Sequence, residues 1–250
     1  MALPQSSELI NEGGDIKPWF RIVRVLEKLT SVYDLANLIM SLGTLSYVRK
    51  EFSYVAESAF KGKRGVILDA GCGPGTSSEI LLHVSGPEEY IIGMDPIIAM
   101  LSEAARRLKN ENKFELVRGV FEALPFREGS LAGATFSFSF RDAINYYKAT
   151  LELKKALRAR GFAIIMDLGR PRRRIYSKVL EGPYISIFPM LAGALLMGWE
   201  GIKRYSELRR TYLRFLETTK LYILFAKIFQ KARCYYMLGG AIFILTAEKS

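Results

Sequence analysis

Seven residues, Asp69-Ala70-Gly71-Cys72-Gly73-Pro74-Gly75, close the apolar run Val66-Ile67-Leu68 and open a stretch with helical spacing. Glycines at alternate positions suit a strand-to-helix turn that needs positive backbone angles and leaves no side chain in the way of a close ligand. Asp95 ends the next apolar run, twenty residues beyond Gly75. In a doubly wound α/β fold that is the place of a carboxylate accepting hydrogen bonds from ribose hydroxyls. The chain is therefore expected to hold a nucleoside cofactor at the carboxyl ends of parallel strands.

A pyridine dinucleotide and S-adenosyl-L-methionine both fit such a site. The dinucleotide fingerprint Gly-x-Gly-x-x-Gly requires a sixth-place glycine where Thr76 stands, and Gly75 breaks the spacing. Asp69 adds a carboxylate at the strand end, which repels a pyrophosphate and suits a sulfonium and an amine. The expected cofactor is S-adenosyl-L-methionine, held by Asp69, Gly71, Gly73, Pro74, Gly75, Asp95 and Pro96.

The rest of the chain supports this fold. Helical spacing over 22–29 and 35–48 predicts two helices ahead of the core. Strands are then expected at 66–68, 90–94, 114–117, 134–138 and 162–168, with helices at 76–84, 97–108 and 144–157. Such alternation implies a Rossmann-like, mostly parallel sheet. Residues 172–230 break the pattern with helical segments before two last strands near Tyr235-Tyr236 and 241–246, flanking Gly239-Gly240. Two units are expected: an N-terminal helical segment over 1–50, and a catalytic domain over 51–250 with a lid-like insert at about 172–230.

The basic balance of 36 Lys and Arg against 25 Asp and Glu gives a net charge of +11, which favours an anionic partner without choosing one. Cys72 and Cys234 supply neither a disulfide framework nor metal-ligand spacing, and His83 stands alone in a helical apolar run. Zinc and triad chemistry are disfavoured, and no metal is expected. The first fifteen residues are polar and acidic rather than basic and then apolar, which points to a cytoplasmic protein.

Beyond the glycine loop, four stretches are similar to the quinone-biosynthesis C-methyltransferases of the UbiE/MenG type, within the class I S-adenosylmethionine-dependent methyltransferases. They are Tyr33-Asp34-Leu35-Ala36-Asn37 with Met40-Ser41-Leu42-Gly43, Glu122-Ala123-Leu124-Pro125-Phe126, Ser137-Phe138-Ser139-Phe140-Arg141-Asp142, and Asp167-Leu168-Gly169-Arg170-Pro171 with Tyr184 and the run 188–193. The resemblance implies a seven-stranded sheet, C-methylation of a demethylated polyprenyl quinol, Ser137 at the cofactor, and Tyr33, Asn37 and Tyr184 at the substrate. Val120 and Phe121 depart from the family's Asp/Asn-Ala. Val120 offers only backbone contacts to an adenine, and Phe121 an apolar face. Asp142 replaces the family's Asn.

Methyl transfer from a sulfonium to carbon needs an aligned and activated nucleophile. Arg141 is expected to stabilise a phenolate, and Asp142 or a water to take the final proton, since a guanidinium stays charged. The alternative is that Arg141 pairs with Asp142 or Asp167 and only braces its loop. Another lipid-like acceptor, or a non-catalytic cofactor-binding scaffold of a quinone-synthesis complex, are the other functions weighed. Nucleic acid is disfavoured, because Ser137-Phe138-Ser139-Phe140 stands where base-amine methyltransferases carry Asn/Asp-Pro-Pro-Tyr/Phe. An anionic membrane surface fits the charge better. The uncharged stretch 182–199 would reach about 27 Å if helical, short of a bilayer core, and has basic flanks that include Arg170 and Arg214; a membrane-facing lid and a buried core helix with solvated charges around it fit it equally. The oligomeric state stays open, a homodimer included.

Overall fold

The computed structural model describes residues 43–170, 198 and 212–250. The expected helix over 22–29, Tyr33, Asn37, Tyr184 and the apolar stretch 182–199 lie outside them, apart from Gly198. Helix α1 spans Leu45–Phe60 and buries Val48, Phe52, Ala56 and Phe60 along one face. Gly43 has φ +79, so the expected helix over 35–48 does not run unbroken through it; α1 itself starts at Leu45 and continues past residue 50.

Strand β1 is Gly65–Ala70, α2 Thr76–Val84, β2 Glu89–Asp95, α3 Ile98–Arg107 and β3 Phe114–Arg118. They are followed by β4 Leu131–Ser137, a short 3-10 turn Phe140–Asp142, α4 Tyr146–Ala156 and β5 Leu157–Leu168. After the insertion come α5 Thr218–Phe229, β6 Lys231–Met237 and β7 Ile242–Glu248. The seven strands form one sheet in the order β3-β2-β1-β4-β5-β7-β6. Pairings among β1 to β5 are parallel, and β7 runs antiparallel to both β5 and β6. This is the Rossmann-like α/β fold expected from the alternation.

Strand β1 runs on to Ala70 and β4 starts already at Leu131, both beyond the expected bounds, and two further strand limits differ for local reasons. Phe138 leaves β4 at φ +56, its N–H donating to the Met166 carbonyl at 2.7 Å, because the chain turns there toward the 3-10 segment. Strand β5 begins at Leu157, before the apolar run, and its pairing with β4 jumps from Leu157 to Phe162 through a bulge with Arg160 at φ +60. The stretch Arg158-Ala159-Arg160 is too short, and with Ala159 and Arg160 exposed too little buried, to announce a strand by its pattern.

Two cores flank the sheet. On one side Phe52, Phe60, Ile67, Leu81, Ile91 and Ile164 pack under α1 and α2. On the other, Leu68, Phe136, Phe140, Phe225 and Phe243 pack under α4 and α5. The chain builds outward from β1 in both directions, so the β1–β4 boundary is the topological switch point where α/β sheets open a crevice at the carboxyl ends of their strands. Among the described residues no helix is long and apolar enough to cross a membrane.

Candidate active site

Each loop at the switch point is built from short-range chemistry. After β1, Gly71, Gly73 and Gly75 have φ of +71, +53 and +88. The Gly71 and Cys72 N–H groups both donate to the Met94 carbonyl, at 2.7 and 3.0 Å, which lashes the loop to the end of β2. The three glycines do different work. A Cβ at Gly71 would lie 2.4 Å from Cβ of Ser139, and one at Gly75 about 3.2 Å from Cβ of Ala104. One at Gly73 would meet nothing within 4 Å. Gly71 and Gly75 serve packing, while Gly73 faces open space. Pro74 is buried beside it.

Asp95 closes the loop from β2. One carboxylate oxygen accepts the Gly73 N–H at 3.0 Å and the other the Ile97 N–H at 2.9 Å. Burial raises its pKa to about 6, only partly offset by those two N–H groups. Pro96, half-buried, accepts a hydrogen bond from Arg118 through its carbonyl at 3.0 Å.

Asp69 differs from the expectation of a carboxylate facing a ligand. It is 0% exposed and lies beneath the loop. One oxygen accepts from the hydroxyls of Ser77 and Ser78, both at 2.7 Å, and the other from Thr135 at 3.0 Å. Alternation along β1 explains the correction: Asp69 shares the face of Ile67, under the first turn of α2, rather than the carboxyl edge. Burial pushes its pKa upward against the pull of the three hydroxyls. Cys72 is buried with its pKa driven well up by burial, a poor thiolate nucleophile.

Phe121 also differs. An apolar face open to an adenine was expected, but the ring is 8% exposed. It packs edge-on to Phe136 at 5.1 Å and stacks on Phe140 at 6.4 Å, because the segment after β3 folds into the larger core. Val120 is half-buried and makes an isolated bridge to Ala123.

On the β4 side, Ser137 ends the strand half-buried, and Ser139 donates its hydroxyl to the Ala70 carbonyl at 2.7 Å. The loops after β1 and β4 therefore touch at Gly71 and Ser139. Arg141 is 13% exposed in its side chain, and its Nη1 donates to Oδ1 of the fully buried Asp167 at 2.8 Å. The Arg141 backbone N–H donates to Oδ2 of Asp167 at 3.1 Å, and the Tyr146 hydroxyl donates to the Arg141 carbonyl at 3.1 Å. Of the two partners considered for Arg141, the structure selects Asp167. Asp142 follows, with Oδ1 buried and without a hydrogen-bond partner among the described residues. Burial raises its pKa to about 6, opposed by Arg141 and reinforced by the charges of Asp167 and Asp95.

Gly71, Gly73, Pro74, Gly75, Asp95, Pro96, Val120, Phe121, Ser137, Arg141 and Asp142 thus all lie at the carboxyl ends of parallel strands. Ser139 and Glu122 are functional residues that sequence alone does not assign. Ser139 is legible only as a small residue facing a glycine, and the Glu122 carboxylate shows its use only once its partners are in place. Arg170, one of the cations flanking the apolar stretch, donates to the Phe215 carbonyl.

The comparisons with known proteins agree with this architecture. A model of the ubiE/COQ5 methyltransferase family matches residues 16–249. The demethylmenaquinone methyltransferase of Lactococcus lactis is 26% identical over 226 residues, 88% of this chain and 86% of that protein. The protein of the same description from Thermotoga maritima is 27% identical over 194 residues, 78% of this chain and 81% of its own. Among solved structures, a putative S-adenosyl-L-methionine-dependent methyltransferase from Methanococcus maripaludis superposes with a TM-score of 0.55 at 15% identity, over 90% of this chain and 93% of that one. A SAM-dependent methyltransferase from Thermotoga maritima gives 0.56 at 15% identity, over 92% and 100%. These two likenesses are of fold.

Proposed function

The chain belongs to the ubiE/COQ5 methyltransferase family, and from that premise we propose that it methylates a ring carbon of a demethylated polyprenyl quinol, with S-adenosyl-L-methionine as the methyl donor. The observation that carries this reading is the meeting, at one switch point, of the open cradle at Gly73, the Asp95 carboxylate and the clamped Arg141. Relatives described as demethylmenaquinone methyltransferases support the acceptor.

The residues present fit the donor. Gly73 leaves room where a side chain would intrude, and Asp95 keeps acceptor capacity beyond its two backbone partners. We assign Asp95 to the ribose hydroxyls, the backbone of Gly71, Gly73, Gly75, Pro96 and Ser137 to the rest of the nucleoside and amino-acid portions, and Val120 to backbone contact with the base. Phe121 shapes the floor from within the core. Asp69 acts as support and as a buried acid beneath the loop, which still disfavours a pyrophosphate above it. When bound, the donor supplies a methyl group already activated by its sulfonium.

The chain's own part is to hold and activate the acceptor. A hydroquinone becomes nucleophilic at ring carbon when an adjacent phenol ionises. Arg141, preset by Asp167 and Tyr146, stabilises that phenolate without reorganising. Asp142, with its unpartnered oxygen and raised pKa, receives the proton from the methylated carbon directly or through a water. The polyprenyl tail calls for a lipophilic approach, for which we assign the stretch 182–199 and its basic flanks to an anionic membrane surface. The test is incubation of the purified protein with methyl-labelled donor and demethylated menaquinol, expecting label in the lipid product. Label that enters another lipid-like acceptor alone would redirect the substrate, and binding with no transfer would favour a scaffold.

A further inference from the structure

One carboxylate joins two loops that the chain separates by about twenty residues. Oε1 of Glu122 accepts the N–H of Ile144 at 2.7 Å and of Asn145 at 3.0 Å. Asn145 is the N-cap of α4, its own side chain accepting the Lys148 N–H at 2.9 Å. Tyr146, the first residue of that helix, donates its hydroxyl to the Arg141 carbonyl. On the other side of Glu122, Phe121 stacks on Phe140, the residue before Arg141, and its ring reaches within 3.1 Å of the point a Cβ on Gly71 would occupy. The helix start, the Arg141 loop and the glycine loop are therefore anchored around one acid.

The chemistry favours a carboxylate here. Two N–H groups at a helix start converge on one oxygen, where a negative charge meets both donors and the positive end of the helix dipole. Without it, both N–H groups lose their partner at a part-buried position, and the Tyr146 anchor on Arg141 loses its fixed origin.

We infer that Glu122 is a positioning residue for the Arg141 loop, holding the guanidinium in place through the start of α4 and Tyr146. The inference rests on the role given to Arg141 above. It touches no reacting atom itself.

The test measures methyl transfer by Glu122→Ala, Glu122→Gln, Arg141→Ala and the Glu122→Ala/Arg141→Ala pair. Donor affinity by calorimetry and thermal midpoints accompany the rates. Glu122→Ala is expected to lower kcat by about 10- to 100-fold, the range for a displaced active-site group, with donor Kd and acceptor KM within about threefold of the parent. Glu122→Gln, which keeps an acceptor oxygen, recovers most of that loss. In the Arg141→Ala background, Glu122→Ala lowers kcat no further, since residues acting through one another are not additive. Losses that multiply across the double variant overturn the inference, as does a lowered midpoint with kcat unchanged. If Glu122→Ala does not fold, Tyr146→Phe, which removes the hydroxyl that holds the Arg141 carbonyl, and its pair with Arg141→Ala decide by the same criterion: a lowered kcat that does not multiply with Arg141→Ala is expected, and losses that multiply overturn the inference. Full turnover in Arg141→Ala itself would instead overturn the role of Arg141 and leave the function of Glu122 without an object.

Discussion

Nη1 of Arg141 lies 2.8 Å from one oxygen of Asp167 while the Arg141 backbone N–H meets the other oxygen at 3.1 Å, so a single buried carboxylate holds both the charge and the main chain of one residue. Asp167 also accepts the Leu168 N–H at 2.8 Å. Such a pair holds direction as well as charge. Its value to the protein is geometric, because desolvation offsets much of the attraction between buried partners.

Asp167→Asn should keep acceptor capacity yet lose the ionic hold. We expect kcat to fall by about 10- to 100-fold with donor affinity unchanged. Asp167→Ala, which takes the buried carboxylate away from a largely buried guanidinium, should cost about 3 to 5 kcal/mol. For a chain of this size that is a drop of roughly 10 °C in Tm, measured by calorimetry. Unchanged kcat in Asp167→Asn would separate the clamp from the chemistry.

The glycines make opposite predictions. Gly71→Ala meets Ser139 at 2.4 Å and a φ of +71, and should destabilise the fold by about 3 kcal/mol or more. Ser139→Gly in that background should return part of the loss. Gly73→Ala has open space and pays only its left-handed backbone, about 1 kcal/mol. Its stability should stay near the parent, while donor affinity falls by more than about tenfold as a methyl enters the cradle. Denaturant melts and binding isotherms on the three variants check the contrast.

The pH dependence follows from Asp95, whose pKa is raised from an ordinary 3.8 to about 6 by burial. Between those values the folded protein keeps a proton that the unfolded chain has released. Its contribution to stability is therefore full below pH 4 or so, and is lost as pH rises through about 6. If Asp95 holds the ribose as proposed, the hydroxyls donate to its ionised form, so donor affinity should rise with pH up to about 6 and level off above it. Asp95→Asn should flatten that rise. Calorimetric titrations from pH 5 to 8 read it directly, and an affinity that falls with pH would contradict the assignment.

In the proposed mechanism Asp142 acts on rate rather than on binding. With its pKa near 6 it should give kcat, at saturating donor, an acid limb that rises through about pH 6. Asp142→Asn should remove that limb and lower the plateau by about 100-fold, the lower end of what a positioned base contributes. An unaltered profile would hand the proton to a water alone.

Much of this arrangement was legible in the chain. The alternation of apolar runs and helical spacing gives β1 to β5 in order, α2 begins and ends where its spacing says, and the glycine loop and Asp95 announce themselves by position. What resisted reading depends on partners distant in sequence. That Asp69 turns under α2 follows from which face of β1 it occupies and from Thr135 on a neighbouring strand. That Phe121 belongs to the core needs Phe136 and Phe140 beside it. The choice of Asp167 over Asp142 for Arg141 rests on the β4–β5 register, which pairs Ser137 with Met166 and so brings Asp167 beneath the turn. Residue type limits what such a site can do, and tertiary register decides which partner does it.

The most direct measurement is single-turnover methyl transfer to demethylated menaquinol by the parent and by Arg141→Ala, with donor affinity measured on both. The account predicts label in the quinol ring for the parent, and for Arg141→Ala a rate lower by about 100-fold or more at nearly unchanged donor Kd. Equal loss of binding and transfer in Arg141→Ala, or transfer at the parental rate, would contradict it.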